Sequence, residues 1–218
     1  MRAMAGTAMG MFAATIQARG REDKWVKARM ATIRSHAGPD ITTNPQLWGV
    51  AIACLSSAVT AHNRREDVED RWVMPSLSDA EGSAVPTKTE TAIAGALSIY
   101  AAQYGTHVPA PHVRGKGFGA ALKASTDPDD KGMERAMRML FSSDSADVLI
   151  RRLIEVVPRM GIGFDYGALA DDLVRFQKGP QGRTAVIAAW SRQYCSETVG
   201  SVQADEQKED ATMKENDR

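Results

Sequence analysis

Four histidines, His36, His62, His107 and His112, are the side chains best suited to proton transfer or metal ligation near neutral pH. All four fall in segments that read as loops or helix ends, and no two stand at metal-ligand spacing. His107 and His112, beside Pro109 and Pro111, come nearest to a pair, but a general base or metal ligand needs a partner or orienting group that this stretch does not supply. Cys54 and Cys195 are far apart, so neither a disulfide framework nor a zinc site is indicated, and a reducing compartment fits best. The glycines of Gly115-Lys-Gly-Phe-Gly119 have the composition of a phosphate loop. No strand precedes them, however, and neither the dinucleotide fingerprint nor the P-loop spacing is met, so we read them as turn residues. Asp127-Pro-Asp-Asp130 gathers three carboxylates as a cation loop does, yet a solvated turn ending in a helix N-cap explains it more simply. We therefore expect no catalytic residue, no metal and no cofactor.

The basic residues offer a different chemistry. Arg outnumbers Lys 18 to 9, and a guanidinium grips phosphate through two parallel hydrogen bonds where an ammonium makes a point contact. Lys plus Arg and Asp plus Glu are both 27, but the stretch from Glu197 to the end carries seven acids against three bases. Residues 1–196 thus hold 24 bases and 20 acids, a net of +4. Arg135 and Arg138 share the polar side of one amphipathic stretch. On the next, Arg151 and Arg152 stand away from the Leu149/Leu153 stripe, with Glu155 within reach of both. Two consecutive helices would then expose arginines along a shared cationic track, which Arg34, Lys88, Arg114, Lys116 and Lys123 extend.

The elements that must position these groups read as helices. Met133, Ala136, Met137, Leu140 and Phe141 follow the i, i+3, i+4, i+7, i+8 pattern, and Ala146, Leu149, Ile150, Leu153, Ile154 and Val157 form a second stripe after Ser142-Ser143-Asp144-Ser145. Asp165 reads as the N-cap of a further helix, with Phe164 and Leu169 as a hydrophobic staple, and a last helix uses Val186, Ile187, Trp190 and Tyr194. Earlier, Trp25, Val26, Arg29, Met30 and Ile33 outline one helix. Leu47, Trp48, Ala51, Cys54 and Leu55, after Pro45, outline another, and Ala92 to Tyr104 a third. No stretch alternates as a half-buried strand does. The expected fold is all-α: two packed helical bundles of about eight or nine helices, without a β-sheet. The first covers residues 1–115 and carries a loop at 62–87, where charges give way to Pro75, Gly82 and Pro86. The second covers 116–196, and 197–218 form a disordered acidic tail. Met1 to Phe12, interrupted by Gly6 and Gly10, is no membrane span, since about 18 apolar residues would be needed. Met1, Met4, Met9 and Met11 offer alternative starts. We expect a cytoplasmic protein with no membrane partner.

In this order and spacing, the motifs resemble the small subunit of the type I-E CRISPR effector complex, the CasB family of the Cascade assembly. The resemblance rests on Gly117-Phe-Gly-Ala-Ala-Leu122, on Met133 to Phe141 followed by Ser145-Ala-Asp147 and Arg151-Arg-Leu-Ile154, on Asp165-Tyr-Gly-Ala-Leu169 with Asp172-Leu173, and on Trp190-Ser-Arg-Gln-Tyr194. It covers about Trp25 to Cys195 and is poorest across His62 to Thr87, where this chain carries an insertion. The resemblance implies an all-helical subunit without catalytic activity, present as two copies in a ribonucleoprotein. It implies contacts with the backbone and large subunits, with crRNA, and with both strands of target DNA irrespective of sequence. Matching positions are Arg34, Lys88, Arg135 and Arg152, with Arg114, Lys116, Arg138 and Arg151 as neighbours. Met139 to Ser142 stand where relatives often carry further basic residues. Two other classes stay open on the residues alone: a dimeric all-helical transcription regulator binding duplex DNA, for which no convincing recognition helix is visible, and a helical enzyme using His107 or His112.

Overall fold

The computed structural model describes residues 3–38, 40–64, 71–74, 86–106, 108–127 and 129–196. The chain runs through α1 (Met4–Arg19), α2 (Lys24–Ser35), α3 (Pro45–Asn63), α4 (Lys88–Tyr104), α5 (Phe118–Ala124), α6 (Lys131–Phe141) and α7 (Ala146–Val156). A 3-10 turn (Val157–Met160), α8 (Tyr166–Phe176) and α9 (residues 180–196) complete it. Among the described residues no strand forms, and a single backbone bridge pairs His112 with Phe164. The all-α expectation holds. None of the described helices is long and apolar enough to cross a membrane.

Helix starts in the second half obey local chemistry. Asp130, Ser145 and Asp165 each stand at an N-cap, and their side chains accept the N–H groups of Met133, Val148, and Gly167 with Ala168. Each satisfies donors that a helix leaves unpaired at its start. The three carboxylates at 127–130 are thus a turn and a cap. The stripes bury as spaced: Met133, Met137 and Leu140 on α6, and Leu149, Ile150, Leu153 and Val156 on α7. At α4, Thr87 and Glu90 form a reciprocal capping box that closes the expected loop, with Glu90 fully buried.

The start of the chain, read only as no membrane span, carries a helix that its residue spacing does not announce: α1 buries Ala5, Ala8, Met9, Phe12, Ala13 and Ile16 and packs against α8, α3 and α4. Glycine usually weakens a helix interior, but here Gly6 makes room: a Cβ would stand 2.2 Å from Asp171 Oδ2. Asp171, reaching over from α8, accepts the N–H groups of Gly6 (2.7 Å) and Ala3 (3.3 Å), caps that Ala3 cannot supply itself.

Trp25 also departs from its expected apolar face. It stays 39% exposed, with the guanidiniums of Arg19 and Arg29 at 4.8 and 5.4 Å from its ring centre. The loop at 62–87 is shorter than expected at its start, because α3 runs through Asn63. Residues 71–74 are tied to its end through Asn63, and 65–70 and 75–85 lie outside the described residues, as do His107 and 197–218.

A chain of rings links the two halves: Phe12 to Tyr100, Tyr166, Phe164, Phe118 and Trp190, with successive centroids 4.4–6.2 Å apart. The aromatic core is therefore shared across residue 115. Gln103 supports it: its amide donates to the Ile162 carbonyl (2.9 Å) and its Oε1 accepts the Tyr166 hydroxyl (3.0 Å).

Candidate nucleic-acid interface

The eight candidate cations fall in three places. The largest group surrounds the corner where α6 turns into the packed helix α7. Arg135 and Arg151 are exposed there, and among the described residues neither has a carboxylate partner. Arg138 is exposed too, but its guanidinium meets Glu134 one turn earlier at 3.1 Å. Arg152 is turned inward. It donates to the Met139 carbonyl and to the hydroxyls of Ser143 (3.0 Å) and Ser142 (3.4 Å), so it closes the C-terminus of α6, where a cation is favoured by the helix dipole.

This corrects the expectation that Arg151 and Arg152 share one outward face. Consecutive residues on an α-helix lie about 100° apart. With Leu149 and Leu153 in the core, Arg151 points to solvent and Arg152 into the seam. The expected ion pairs of Glu155 with these two arginines do not form among the described residues.

Lys88, the first residue of α4, joins this corner. It shares with Ser145 and Arg183 the lining of a hollow of about 310 Å³, and Arg183 donates to the Asp144 carbonyl. Arg183 was not among the candidates. It follows Gly179-Pro180 at a helix start, where no periodic pattern yet marks it.

Arg34 is elsewhere, at the end of α2 and close to Gly105 beyond the C-terminus of α4. Since α4 rises about 1.5 Å per residue, Lys88 and Arg34 stand about 24 Å apart along it. Arg114 and Lys116 form the third place, the segment between α4 and α5. That segment is held by Asp165, whose Oδ2 accepts the Gly115 N–H (2.6 Å) and whose own N–H donates to the Lys116 carbonyl (2.8 Å). His112 Nδ1 accepts the Tyr166 N–H at 3.2 Å, so this histidine serves as part of the same clasp. Gly115 adopts φ +84°, the left-handed turn conformation expected of it, and Gly119 allows α5 to approach α9 so closely that a Cβ would stand 2.1 Å from the Trp190 carbonyl oxygen.

Charge is distributed unevenly. Residues 1–196 hold 24 Lys and Arg against 20 Asp and Glu, a net of +4, although the whole chain is neutral. Several of those acids are committed inward. Glu90, Asp165 and Asp171 cap helices, and Asp172 accepts the Trp190 indole N–H at 2.7 Å. Burial holds the Asp172 carboxyl above its usual range, partly offset by that hydrogen bond and by Arg175. The outward field of the body is therefore more positive than net charge suggests. Burial also pushes the Cys54 thiol up to about 12, so it stays protonated and a poor nucleophile. Among the described residues, no three His, Cys, Asp or Glu side chains are grouped to hold a metal ion.

Residues 29–194 match the family model described as CRISPR-associated protein Cse2. Among solved structures, the chain is similar to the crystal structure of CasB from Thermobifida fusca, with 24% identity, 89% of this chain and 99% of that chain covered, and a TM-score of 0.65. At that identity the likeness speaks for the all-helical fold. No curated protein matches the chain.

Proposed function

The chain belongs to the CRISPR-associated Cse2 family, and from that membership we propose that it acts as the non-catalytic small subunit of a crRNA-guided type I-E surveillance complex, holding the opened target through phosphate contacts. Membership points to a Cascade small subunit in CRISPR defence, assembled with other Cas subunits and crRNA. The observation that carries the finer reading is the pair of exposed arginines, Arg135 and Arg151, on two packed helices of a body (residues 1–196) with a net charge of +4.

Exchanging DNA pairing for guide pairing is nearly balanced in energy, so a few protein contacts can tip it. Phosphate contacts suffice, because the guide reads the sequence. Within the corner, Arg135 and Arg151 can meet phosphate at no structural cost. Arg138 must exchange Glu134, a solvent-exposed pair worth about 0–1 kcal/mol, and Arg152 would have to abandon the end of α6. Lys88 and Arg34, at opposite ends of α4, suit phosphates well separated along a strand, while Arg114 and Lys116 serve another stretch. A second copy and the backbone and large subunits complete the assembly in this reading.

The test is Arg135→Glu with Arg151→Glu in a reconstituted complex. Target affinity and strand opening should fall about tenfold or more, and the salt slope of binding should flatten by about 0.9 per lost duplex contact. Unchanged affinity and slope would remove the reading.

A further inference from the structure

The segment that follows α3 builds a second feature, away from the α6–α7 corner. The His62 and Trp72 rings stack at 3.9 Å between centroids and 5° between planes. Asn63 fixes that stack: its amide donates to the Trp72 carbonyl and its Oδ1 accepts the Trp72 N–H, both at 2.8 Å, while Arg71 donates to the Asn63 carbonyl at 2.8 Å. The backbone of Trp72 is thus held against the end of α3 by two hydrogen bonds, and its neighbour Arg71 is tied there through the guanidinium, which places the indole on His62. The pair lines an open cleft of about 790 Å³, together with Gly10 and Ala14 of α1, His112 and the exposed Arg114.

The α1 side of the cleft, where Gly10 and Ala14 leave room between Met11 and Gln17, a fixed aromatic wall and a cation are what a flat π-system carrying a negative charge requires. Trp25, exposed where Trp72 is half-buried, is differently occupied, because Arg19 and Arg29 already lie over it. We propose that the cleft between α1, the end of α3 and the 108–117 segment takes an unpaired nucleobase of a single strand, stacked against the His62–Trp72 pair with its phosphate on Arg114. This rests on the nucleic-acid reading above and adds a base-dependent contact to it. Stacking tolerates any sequence, since every base has a π-face, so the contact is compatible with a guide that does all the reading.

The experiment compares binding of the full chain to an oligothymidylate of about 12 nucleotides and to an abasic strand of the same length. The wild type should prefer the strand with bases by about tenfold. Trp72→Ala should abolish the preference and leave the abasic affinity unchanged, Trp72→Phe should keep most of it, and Arg114→Gln should weaken both strands. Arg135→Glu with Arg151→Glu should weaken both strands equally and preserve the preference, which separates failure of this proposal from failure of the backbone reading. Should Trp72→Ala not fold, photocross-linking of wild type to a 5-iododeoxyuridine strand decides. A cross-link in the tryptic peptide that begins at Trp72 supports the site, and cross-links confined elsewhere overturn it. Equal wild-type affinity for the two strands, or a preference that survives Trp72→Ala, also overturns it. If neither strand binds, both readings fall.

Discussion

The α6–α7 corner and the seam between α1 and α8 are built on opposite economies. At the corner two strongly amphipathic helices bury Met and Leu stripes and turn most of their charges outward, so Arg135 and Arg151 stand available while Arg138 meets only an exposed Glu134. At the seam, small residues let backbones approach closely and Asp171 turns inward to cap α1, while Asp165 at the start of α8 and Asp172 facing Trp190 are likewise turned inward as hydrogen-bond acceptors. Charge at a surface is cheap and exchangeable, whereas charge in a seam is tied to backbone donors and costs stability when removed. The comparison also divides the corner itself, because Arg152 behaves as a seam residue while Arg151 does not.

The largest effect is expected where the seam meets the core. Trp190 is fully buried against Phe118 and bonded to Asp172, so Trp190→Ala should cost about 3–5 kcal/mol in denaturant unfolding. A loss below 1 kcal/mol would show that the seam is less tightly built than the ring chain implies. Asp165→Ala should come next, at about 2–3 kcal/mol, since one buried carboxylate serves the N–H groups of Gly115, Gly167 and Ala168.

Neighbouring arginines give the sharpest contrast. Arg152→Ala should destabilise by about 1–2 kcal/mol through loss of the α6 cap. Arg151→Ala should stay within about 0.5 kcal/mol in stability and yet be the one that weakens nucleic-acid binding. Thermal melts paired with binding isotherms would check both, and reversed roles would break the division drawn here.

Asp172→Asn should have the smallest effect and a distinct pH signature. Burial raises the folded carboxyl above its ordinary 3.8, so between that value and the raised one the folded state holds more protons than the unfolded state. Wild-type stability relative to Asp172→Asn should therefore decline as pH rises through this window and level off above it. Asparagine still offers an oxygen to the Trp190 indole N–H. A difference that grows in favour of wild type as pH rises would contradict the inward burial of this carboxyl.

Much of the second half was legible because its signals are local. A 3.6-residue stripe needs only its own helix, and Asp130, Ser145 and Asp165 cap donors two or three residues onward. α1 was illegible for the complementary reason. Its sequence of Ala, Gly and Met has little amphipathic contrast, and the carboxylate that caps it comes from Asp171, 165 positions from Gly6. The His62–Trp72 stack shares that character, since nothing in the spacing of a charged, Pro- and Ser-containing stretch announces that one tryptophan will fold back onto the preceding helix.

Helix type, helix starts, the basic surplus of the body and the family likeness were all present in the order of residues, because each depends on neighbours a few positions away or on composition. Which cation faces solvent, which ends a helix and which lines the Trp72 cleft was decided only by packing. A guanidinium stem can swing through several ångströms, and its destination depends on whether an adjoining helix presents a carbonyl, a carboxylate or open water.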